Sequence, residues 1–300
     1  MAFSGSNNLQ GALLMVAAMA CYTFNDALIK FMGGDMSMSQ LFVLRGLPTI
    51  LFVGILTYRA GAMTPQLNRS DWMLISLRSL SELLAAYLFV SALRQMEIAN
   101  VTAVLQVLPL TVALAAALFF QEPLGWRRFV AIGIGFLGMV LIVRPGPEGF
   151  NPATFNALAA VVFITIRDLT ARRLSAEVPS LFVALHAAVC VTVLASGVLL
   201  IQGSWQPVAA GDGLLILGMA VFIGGGYLFS TMVMRVGDIG FVAPFRYTGL
   251  VWALLIGLLV FGDWPDALTL LGAAIVVGTG LFTLFREARA NRSQAKAART

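Results

Sequence analysis

The chain has little charge. Only 11% of its 300 residues are Asp, Glu, Lys or Arg, whereas 59% are hydrophobic, and the mean hydropathy is +0.90. Soluble domains carry roughly a quarter charged residues. This chain therefore has too few charged residues to cover the surface of a protein that is surrounded by water. Apolar runs of about 20 residues, the length that crosses a bilayer, follow one another along almost the whole sequence. The composition therefore predicts an all-α membrane protein.

Cysteine and histidine are also scarce. Cys21, Cys190 and His186 are the chain's two cysteines and one histidine, and both cysteines lie in the middle of apolar runs. Disulfide frameworks and metal sites need clustered side chains, so we expect no metal, no cofactor and no catalytic residue. An intramembrane enzyme acting on lipid would need a nucleophile with its base, or a metal cluster, and it remains only a distant alternative.

Polar or turn-rich breaks divide the apolar sequence into candidate membrane-spanning helices. The breaks contain typical punctuation, such as Gly33-Gly34-Asp35 and Arg144-Pro145-Gly146-Pro147. Ten helices of bilayer length would use about 200 residues and leave only short loops. The ten predicted spans are residues 9–30, 40–58, 72–94, 99–120, 126–143, 153–173, 180–201, 213–234, 239–261 and 266–286.

The Lys and Arg residues in the loops and at the ends of the spans are distributed unequally between the two sides of the membrane. One side would hold Lys30, Arg94 and Arg144. The other would hold Arg59, Arg69, Arg127, Arg128, Arg172, Arg173, Arg235, Arg286, Arg289, Arg292, Lys296 and Arg299. Cytoplasmic loops are the ones enriched in Lys and Arg, which predicts a multi-pass membrane protein with both termini cytoplasmic. The net charge of +5 needs no nucleic-acid partner, because the loops and a disordered basic tail at 288–300 account for it.

A faint internal repeat relates the two halves of the chain. Tyr87-Leu88-Phe89 recurs as Tyr227-Leu228-Phe229, and Asp26 falls on Asp168 at a slightly longer offset. Five spans in each copy force the second copy to enter the membrane from the other side. The sequence thus predicts two inverted five-helix repeats, residues 1–145 and 146–287. Inverted repeats are typical of carriers that open alternately to the two faces around a site at the midplane.

Several ionisable residues lie inside the predicted spans, where a charge costs several kcal/mol unless it faces a partner or a wet cavity. We therefore treat them as candidate substrate-binding or gating residues, although fixed ion pairs or an arginine that reaches the interface would also account for single cases. Asp26 with Arg45, and Asp168 with Arg78 or Arg246, are the expected pairs. The positive excess favours a substrate with a carboxylate. The candidates are Asp26, Arg45, Arg78, Glu82, Arg167, Asp168, His186 and Arg246.

Aromatic, amide and helix-breaking residues complete the candidate site. Tyr87, Tyr227, Tyr247 and Gln106 lie within spans and are added as binding residues, although the two repeated tyrosines could equally be packing residues. Proline and glycine inside helices can mark hinges, although membrane helices also tolerate them in other roles. The candidate hinges are Pro48, Pro109, Gly225 and Pro244.

The end of each half carries a matching set of residues. Gln121-Glu122-Pro123-Leu124, Gly133, Gly138 and Arg144 correspond to Asp263-Trp264-Pro265, Gly272, Gly280 and Arg286. In this pattern, over residues 9–286, the chain resembles the EamA-type branch of the drug/metabolite transporter superfamily, with Asp263 in place of the usual Glu. Within that branch it is most similar to the YddG-type amino-acid exporters. That resemblance implies export of amino acids, often aromatic, or of related metabolites through a central cavity.

Other carrier functions remain open at this point. A nucleotide-sugar or phosphorylated-metabolite exchanger would also need arginine inside the membrane, but without the three matching acids. A small-cation or drug exporter would use an unpaired acid such as Asp26 or Glu82. The partners we expect are the small-molecule substrate and the lipid bilayer, with the chain as a monomer or a homodimer.

Overall fold

The computed structural model describes the backbone of residues 5–33, 36–63, 67–121, 125–144, 151–175, 177–203, 205–233 and 242–297, and the side chains of these residues except 5–8, 210, 231 and 287–297. The α-helices are α1 (Gly5–Met32), α2 (Met38–Arg59), α3 (Arg69–Leu93), α4 (Ile98–Leu105), α5 (Leu108–Phe120), α6 (Trp126–Val143), α7 (Pro152–Arg172), α8 (Ser180–Gln202), α9 (Ala210–Val233), α10 (Thr248–Ile256) and α11 (Ala267–Ala297). A 3-10 turn (Ala243–Tyr247) precedes α10, and a π turn (Gly257–Phe261) follows it.

Among the described residues, ten helical segments are long and apolar enough to cross a membrane, and each overlaps one of the predicted spans. The prediction of an all-α membrane protein is thus confirmed. The fourth span consists of α4 and α5, which meet at a break, and the ninth consists of the 3-10 turn, α10 and the π turn. Since ten crossings return the chain to its starting side, the start of α1 and the end of α11 share one side. We call this side the terminal face and the other side the opposite face.

Local sequence signals set the helix ends. The side chains of Ser37, Asn68 and Asn151 precede α2, α3 and α7, and each accepts a hydrogen bond from a backbone N–H of the first turn. Gly203 and Gly262 follow α8 and the π turn with positive φ angles of 58° and 70°. Glycine adopts this left-handed conformation without a Cβ clash, so it can end a helix sharply. The spans are therefore joined by short connections.

The helices pack across the halves in a symmetric pattern. Contacts between the halves include those of α1 with α9, α3 with α7, α2 with α8, α4 with α10, and α6 with α11. In span numbers these pairs are 1–8, 3–6, 2–7, 4–9 and 5–10. Exchanging span n of one half with span n of the other maps this set onto itself. The contacts are those of a pseudo-two-fold axis between two inverted five-helix repeats, as the sequence predicts.

The fifth and tenth spans cross closely at two glycines. A Cβ built on Gly272 of α11 would lie 2.5 Å from the carbonyl oxygen of Gly138 on α6. Gly278 lies six residues further along α11, and a Cβ there would meet nothing within 4 Å. Glycine at the crossing lets the two backbones approach, which is the usual geometry of close membrane-helix contacts. The close contact is thus within one chain and uses Gly138 and Gly272.

The loops beyond the α6–α11 pair are also joined. Arg144 follows α6, and its guanidinium forms an ion pair with Asp266, just before α11. The hydrogen bond from Arg144 lowers the pKa of the Asp266 carboxyl to about 2. At the other end, the α11 backbone stays helical to Ala297, which differs from the disordered tail predicted for 288–300. Alanine, arginine, lysine and glutamine are strong helix formers, so a polar helix can continue here.

We expect Gly272→Ala to destabilise the protein, since its methyl group would overlap the Gly138 carbonyl. The cost should be about 1–3 kcal/mol, the usual range for overpacking. Gly278→Ala is the matched control on the same helix, and it should be neutral or slightly stabilising because alanine favours the helix. Thermal unfolding in detergent measures both variants. Equal melting temperatures would contradict the tight crossing.

Candidate functional site

A central cavity lies between α2, α3, α8 and α9. Its empty volume, including its opening, is about 440 Å³. These helices are spans 2, 3, 7 and 8, so each half contributes two equivalent helices and the cavity lies at the interface between the repeats. This is the place that the inverted repeat predicts for a site. The lining residues are Phe42, Arg45, Gly46, Thr49, Glu82, Ala86, Ala187, Ala188, Val191, Thr192, Ile223 and Tyr227.

Glycines bring the cavity helices together. A Cβ on Gly46 of α2 would lie 2.1 Å from the Thr192 Oγ1 atom on α8. Likewise, a Cβ on Gly226 of α9 would lie 2.6 Å from the ring of Tyr22 on α1. A side chain at either position would have to displace the facing Thr192 or Tyr22 side chain. Glycine thus allows close approach of α2 to α8 and of α9 to α1 around the cavity.

Arg167 of α7 forms the centre of the charged network. Its Nη1 atom donates to Glu82 Oε2 on α3 at 3.3 Å. Its Nη2 atom lies 2.8 Å from Asp168 Oδ1, and its Nε atom donates to the same oxygen at 2.9 Å. The three side chains are only 19–25% exposed. One guanidinium thus pairs with two carboxyl groups, one of which, Glu82, lies at the cavity wall.

A second polar group joins α1 to α2. The Asn25 amide nitrogen donates to Asp26 Oδ1 at 3.0 Å, and Asn25 Oδ1 accepts a 3.4 Å hydrogen bond from Arg45 Nη1. The Arg45 guanidinium also lies over the Phe42 ring, 5.4 Å from its centroid. Among the described residues, neither Asp26 nor Arg45 makes an ion pair. The predicted pair is therefore linked through a neutral amide.

The predicted pairing of Asp168 with Arg78 or Arg246 is wrong. Asp168 bonds to its neighbour Arg167, while Arg78 and Arg246 act on it only through space. Arg78 has its Nη1 atom buried without a hydrogen bond to the described residues, and Arg246 is exposed. Glu82 likewise bonds to Arg167, although Arg78 lies one helical turn away from it. Sequence spacing cannot reveal which helices face each other.

His186 lies one turn towards the terminal face from the cavity-lining part of α8. Its Nδ1 atom lies 2.9 Å from the Ser79 Oγ atom of α3. The ring makes edge contacts with the Trp72 indole, at 5.9 Å between centroids, and Arg78 lies within electrostatic range. His186 thus joins α3 to α8 beside the charged network.

Tyrosines complete the polar wall near α9. The Tyr22 hydroxyl lies 3.2 Å from the Ser230 Oγ atom, and the Tyr22 ring contacts the Tyr227 ring edge-on at 6.3 Å between centroids. Tyr227 lines the cavity and lies within electrostatic range of Glu82 and Arg45. An aromatic surface therefore stands beside the two charged cavity residues.

Of the twelve predicted binding or gating residues, Arg45, Glu82 and Tyr227 are the three that line this cavity. The tyrosine and glutamine candidates that do not line it are Tyr87, Gln106 and Tyr247. Tyr87 is 48% exposed, although it repeats Tyr227. Gln106 is buried at the break between α4 and α5. Tyr247 is buried against α11, where a Cβ on Gly280 would lie 1.7 Å from its hydroxyl oxygen.

The predicted hinges fall in different settings. Pro48 lies within the continuous helix α2, whereas Pro109 follows the break at the start of α5 and Pro244 lies in the 3-10 turn. Gly225 lies within the continuous helix α9, and a Cβ there would be 3.2 Å from Cys21 Sγ. Movement at these positions remains a prediction.

Hydrogen bonds join the two halves near both ends of the bundle. At the opposite face, the Gln40 amide donates to the backbone carbonyl of Gln206 at 2.7 Å and accepts from its N–H at 2.9 Å. At the terminal face, the buried carboxylate of Asp71 accepts from the Ser175 N–H at 3.1 Å and from its hydroxyl at 3.0 Å. The cavity lies between these two contacts.

Residues 9–144 and 151–285 each match the EamA-like transporter family. The chain belongs to this family. A protein of known crystal structure shares the fold, with a TM-score of 0.65 at 17% identity, over 95% of this chain and 98% of that one. The family places the chain among multi-pass membrane transporters, not enzymes.

Named relatives of this EamA-like transporter carry different solutes. The riboflavin transporter of Vibrio cholerae is 27% identical over 95% of this chain and 96% of its own length. The pseudopaline exporter CntI of Pseudomonas aeruginosa is 24% identical over 89% and 93%. The S-adenosylmethionine uptake transporter of Rickettsia felis is 26% identical over 61% of this chain, and the match spans 62% of that relative.

The candidate site also contains neutral polar residues, which a pattern of intramembrane charges does not predict. Asn25 is 2% exposed and joins Asp26 to Arg45. Thr49 and Thr192 line the cavity, and Ser79 binds His186. Asparagine beside an intramembrane aspartate was a signal that the sequence offered. Serine and threonine gave none, because they are ordinary in membrane helices.

We expect Arg167→Ala to destabilise the transporter by about 3 kcal/mol or more, because it leaves Glu82 and Asp168 as uncompensated charges. Arg246→Ala removes the same side chain from an exposed position and should change stability by less than about 1 kcal/mol. Thermal melting of the two purified variants provides the comparison. Equal losses in both variants would show that the network around Arg167 does not hold the helices together.

Proposed function

We propose that this EamA-like transporter carries small amphipathic metabolites that bear both a carboxylate and an ammonium group, with amino acids, aromatic or hydrophobic ones first, as the substrate class. The observation behind the proposal is that one cavity is lined by both Arg45 and Glu82. Arg45 can bind a carboxylate by a charge-assisted hydrogen bond, and Glu82 can accept one from an ammonium. The Phe42 and Tyr227 rings and the aliphatic wall suit an apolar side chain.

The charge balance favours a zwitterion over a simple ion. Glu82 shares Arg167 with Asp168, so it keeps acceptor capacity towards the cavity. Within the described part of the chain, the guanidinium of Arg45 donates a single long hydrogen bond, to the neutral Asn25 side chain. A phosphorylated metabolite would bring two charges to Arg45 and meet Glu82 in the same cavity. A small cation would leave Arg45 without a counter-charge.

The relatives support a transport function without fixing the solute. Their names give S-adenosylmethionine, riboflavin and pseudopaline, and they include both uptake and export. One fold therefore serves different substrates and directions, and the side chains of the cavity decide between them. For this chain we propose export by alternating access, driven by the outward gradient of the substrate.

We also propose that the protein lies in a bacterial inner membrane with its terminal face towards the cytoplasm. The support is the excess of Lys and Arg in the loops of that face. A cysteine placed at position 149, in a background where Cys21 and Cys190 are serine, should react with an impermeant maleimide added to intact cells. A cysteine at position 60 should react only after the cells are opened. The reverse pattern would contradict the orientation.

Recognition of a zwitterion predicts opposite selectivities for two variants. Arg45→Gln should weaken binding of an amino acid by roughly 10- to 100-fold and that of its amide much less, since only the carboxylate loses a charged partner. Glu82→Gln should weaken binding of the amino acid more than that of its N-acetyl analogue. Calorimetry on purified protein measures these affinities.

The matched control for these variants is Arg144→Gln, which removes a guanidinium outside the spans and should leave both affinities unchanged. Melting temperatures establish that all three variants are folded. If Arg45→Gln and Glu82→Gln both bind amino acids like the unmodified protein, the cavity is not the binding site for this class.

A further inference from the structure

Arg45 lies between two acids without an ion pair to either. Asp26 lies on one side, bridged by the Asn25 amide, and Glu82 lies on the other, bound to Arg167. Both acids are within electrostatic range of the Arg45 guanidinium. Of the two, only Asp26 lacks a cationic hydrogen-bond partner among the described residues. Such a carboxylate is the group for which a proton and a nearby charge compete most directly.

We infer that Asp26 is a positioning residue that binds a proton when a substrate carboxylate binds to Arg45, with Asn25 as the link between them. The inference rests on the proposed function, because it requires a carboxylate at Arg45. It adds proton coupling, which neither the family nor the relatives' names assign to this chain. Asp26 itself is not among the residues that line the cavity, so it would act through Asn25 and Arg45.

The coupling follows from charge. While Asp26 is ionised, its carboxylate attracts Arg45 and competes with the substrate carboxylate for the same guanidinium. A proton from water in the cavity, bound to Asp26, removes that competition and leaves Arg45 free to bind the substrate. The protonated carboxyl becomes a hydrogen-bond donor, so its bond with Asn25 changes direction. The Asn25 amide can then turn and release the Arg45 Nη1 atom towards the cavity.

Other ionisable groups near Asp26 are already engaged or belong to other parts of the site. Lys30 lies one turn along α1, but its Nζ atom donates to the Met96 carbonyl at 2.6 Å. The helices α4 and α10, which also pack against α1, contain no ionisable side chain. The remaining groups on α1 and on the elements packed against it are Cys21 and Tyr22 on α1, Arg69, Asp71, Arg78, Glu82 and Tyr87 on α3, Asp212 and Tyr227 on α9, and Arg246 and Tyr247 on the 3-10 turn.

Linkage makes the effect reciprocal. If a proton on Asp26 strengthens carboxylate binding, then carboxylate binding strengthens proton binding by the same factor. Binding should therefore take up protons from solution and should tighten as the pH falls, until Asp26 is protonated in the free protein as well. A proton would cross the membrane with each carboxylate, while the outward gradient of the substrate drives export.

The test is the affinity of the purified full-length protein for a neutral amino acid such as phenylalanine, and for phenethylamine, between about pH 8 and pH 6. Phenethylamine lacks the carboxylate and keeps its ammonium charged over this range. For the unmodified protein we expect the amino acid to bind about tenfold more tightly at the lower pH, within the usual range for coupled sites. The affinity for phenethylamine should lack this increase. A pH indicator in weak buffer should show proton uptake on amino-acid binding.

Asp26→Asn cannot take up the proton and keeps the size of the side chain. It should bind the amino acid with the affinity that the unmodified protein reaches at low pH, and it should show neither the pH dependence nor the proton uptake. Asp266→Asn is the control, since it removes a carboxylate outside the spans and should keep both. Asp26→Asn with unchanged pH dependence would overturn the inference.

The unmodified protein alone can also refute the coupling. Amino-acid binding without proton uptake would overturn the inference even if Asp26→Asn does not fold. This outcome leaves the proposed function intact, because the amino acid still binds. If no carboxylate-bearing ligand binds at any pH, the proposed function itself is wrong.

Discussion

Compensation of charge at membrane depth is the constraint on which the site depends, and Arg167 provides it. One guanidinium bonds to Glu82 on the neighbouring helix and to Asp168 beside it on α7. Without that cation, two carboxylates would face each other in a region where water is scarce. With it, Glu82 can present a negative charge to the cavity while α3 and α7 stay packed. The rest of the polar wall is arranged around this fixed group.

The site contains one group of tightly bonded side chains and one group of weakly bonded side chains. Arg167, Glu82 and Asp168 form direct ion pairs, and such pairs hold their geometry. Asp26, Asn25 and Arg45 are joined by one hydrogen bond of 3.0 Å and a longer one of 3.4 Å. A carrier needs both kinds of group, because its site must bind the substrate on one side of the membrane and release it on the other. The weakly bonded group lies on α1 and α2, so its side chains can rearrange while α3 and α7 stay in contact.

The sequence predicts the spans well, because their signal is the hydrophobic effect of about 20 successive residues, which depends little on tertiary contacts. It also predicts which charges matter, because a charge inside such a run is costly unless it faces a partner or a wet cavity. It does not predict partners. Arg167 and Asp168 are adjacent, and adjacent residues do not normally face each other on a helix, yet the long arginine side chain reaches its neighbour.

The internal repeat predicts where a residue lies along the backbone, but it does not predict which residues surround its side chain. Tyr87 and Tyr227 occupy equivalent positions, but the first is largely exposed and the second lines the cavity. The inverted copies differ in what packs against them, so equal positions acquire different neighbours. Asn25 could not be found by a search for charge, because its role is to carry hydrogen bonds between charged groups.

The pseudo-two-fold packing has a thermodynamic consequence. If the two halves exchanged their conformations, the same contacts would describe a carrier open to the other face, and two identical halves would make these states equal in free energy. Any preference for one state must therefore come from positions where the copies have diverged. The contact of Gln40 with Gln206 at one face and that of Asp71 with Ser175 at the other are such positions. A difference of about 1.4 kcal/mol between them would give a tenfold difference in population between the two conformations. The residues at which the halves differ therefore determine which face the carrier opens to in the absence of substrate.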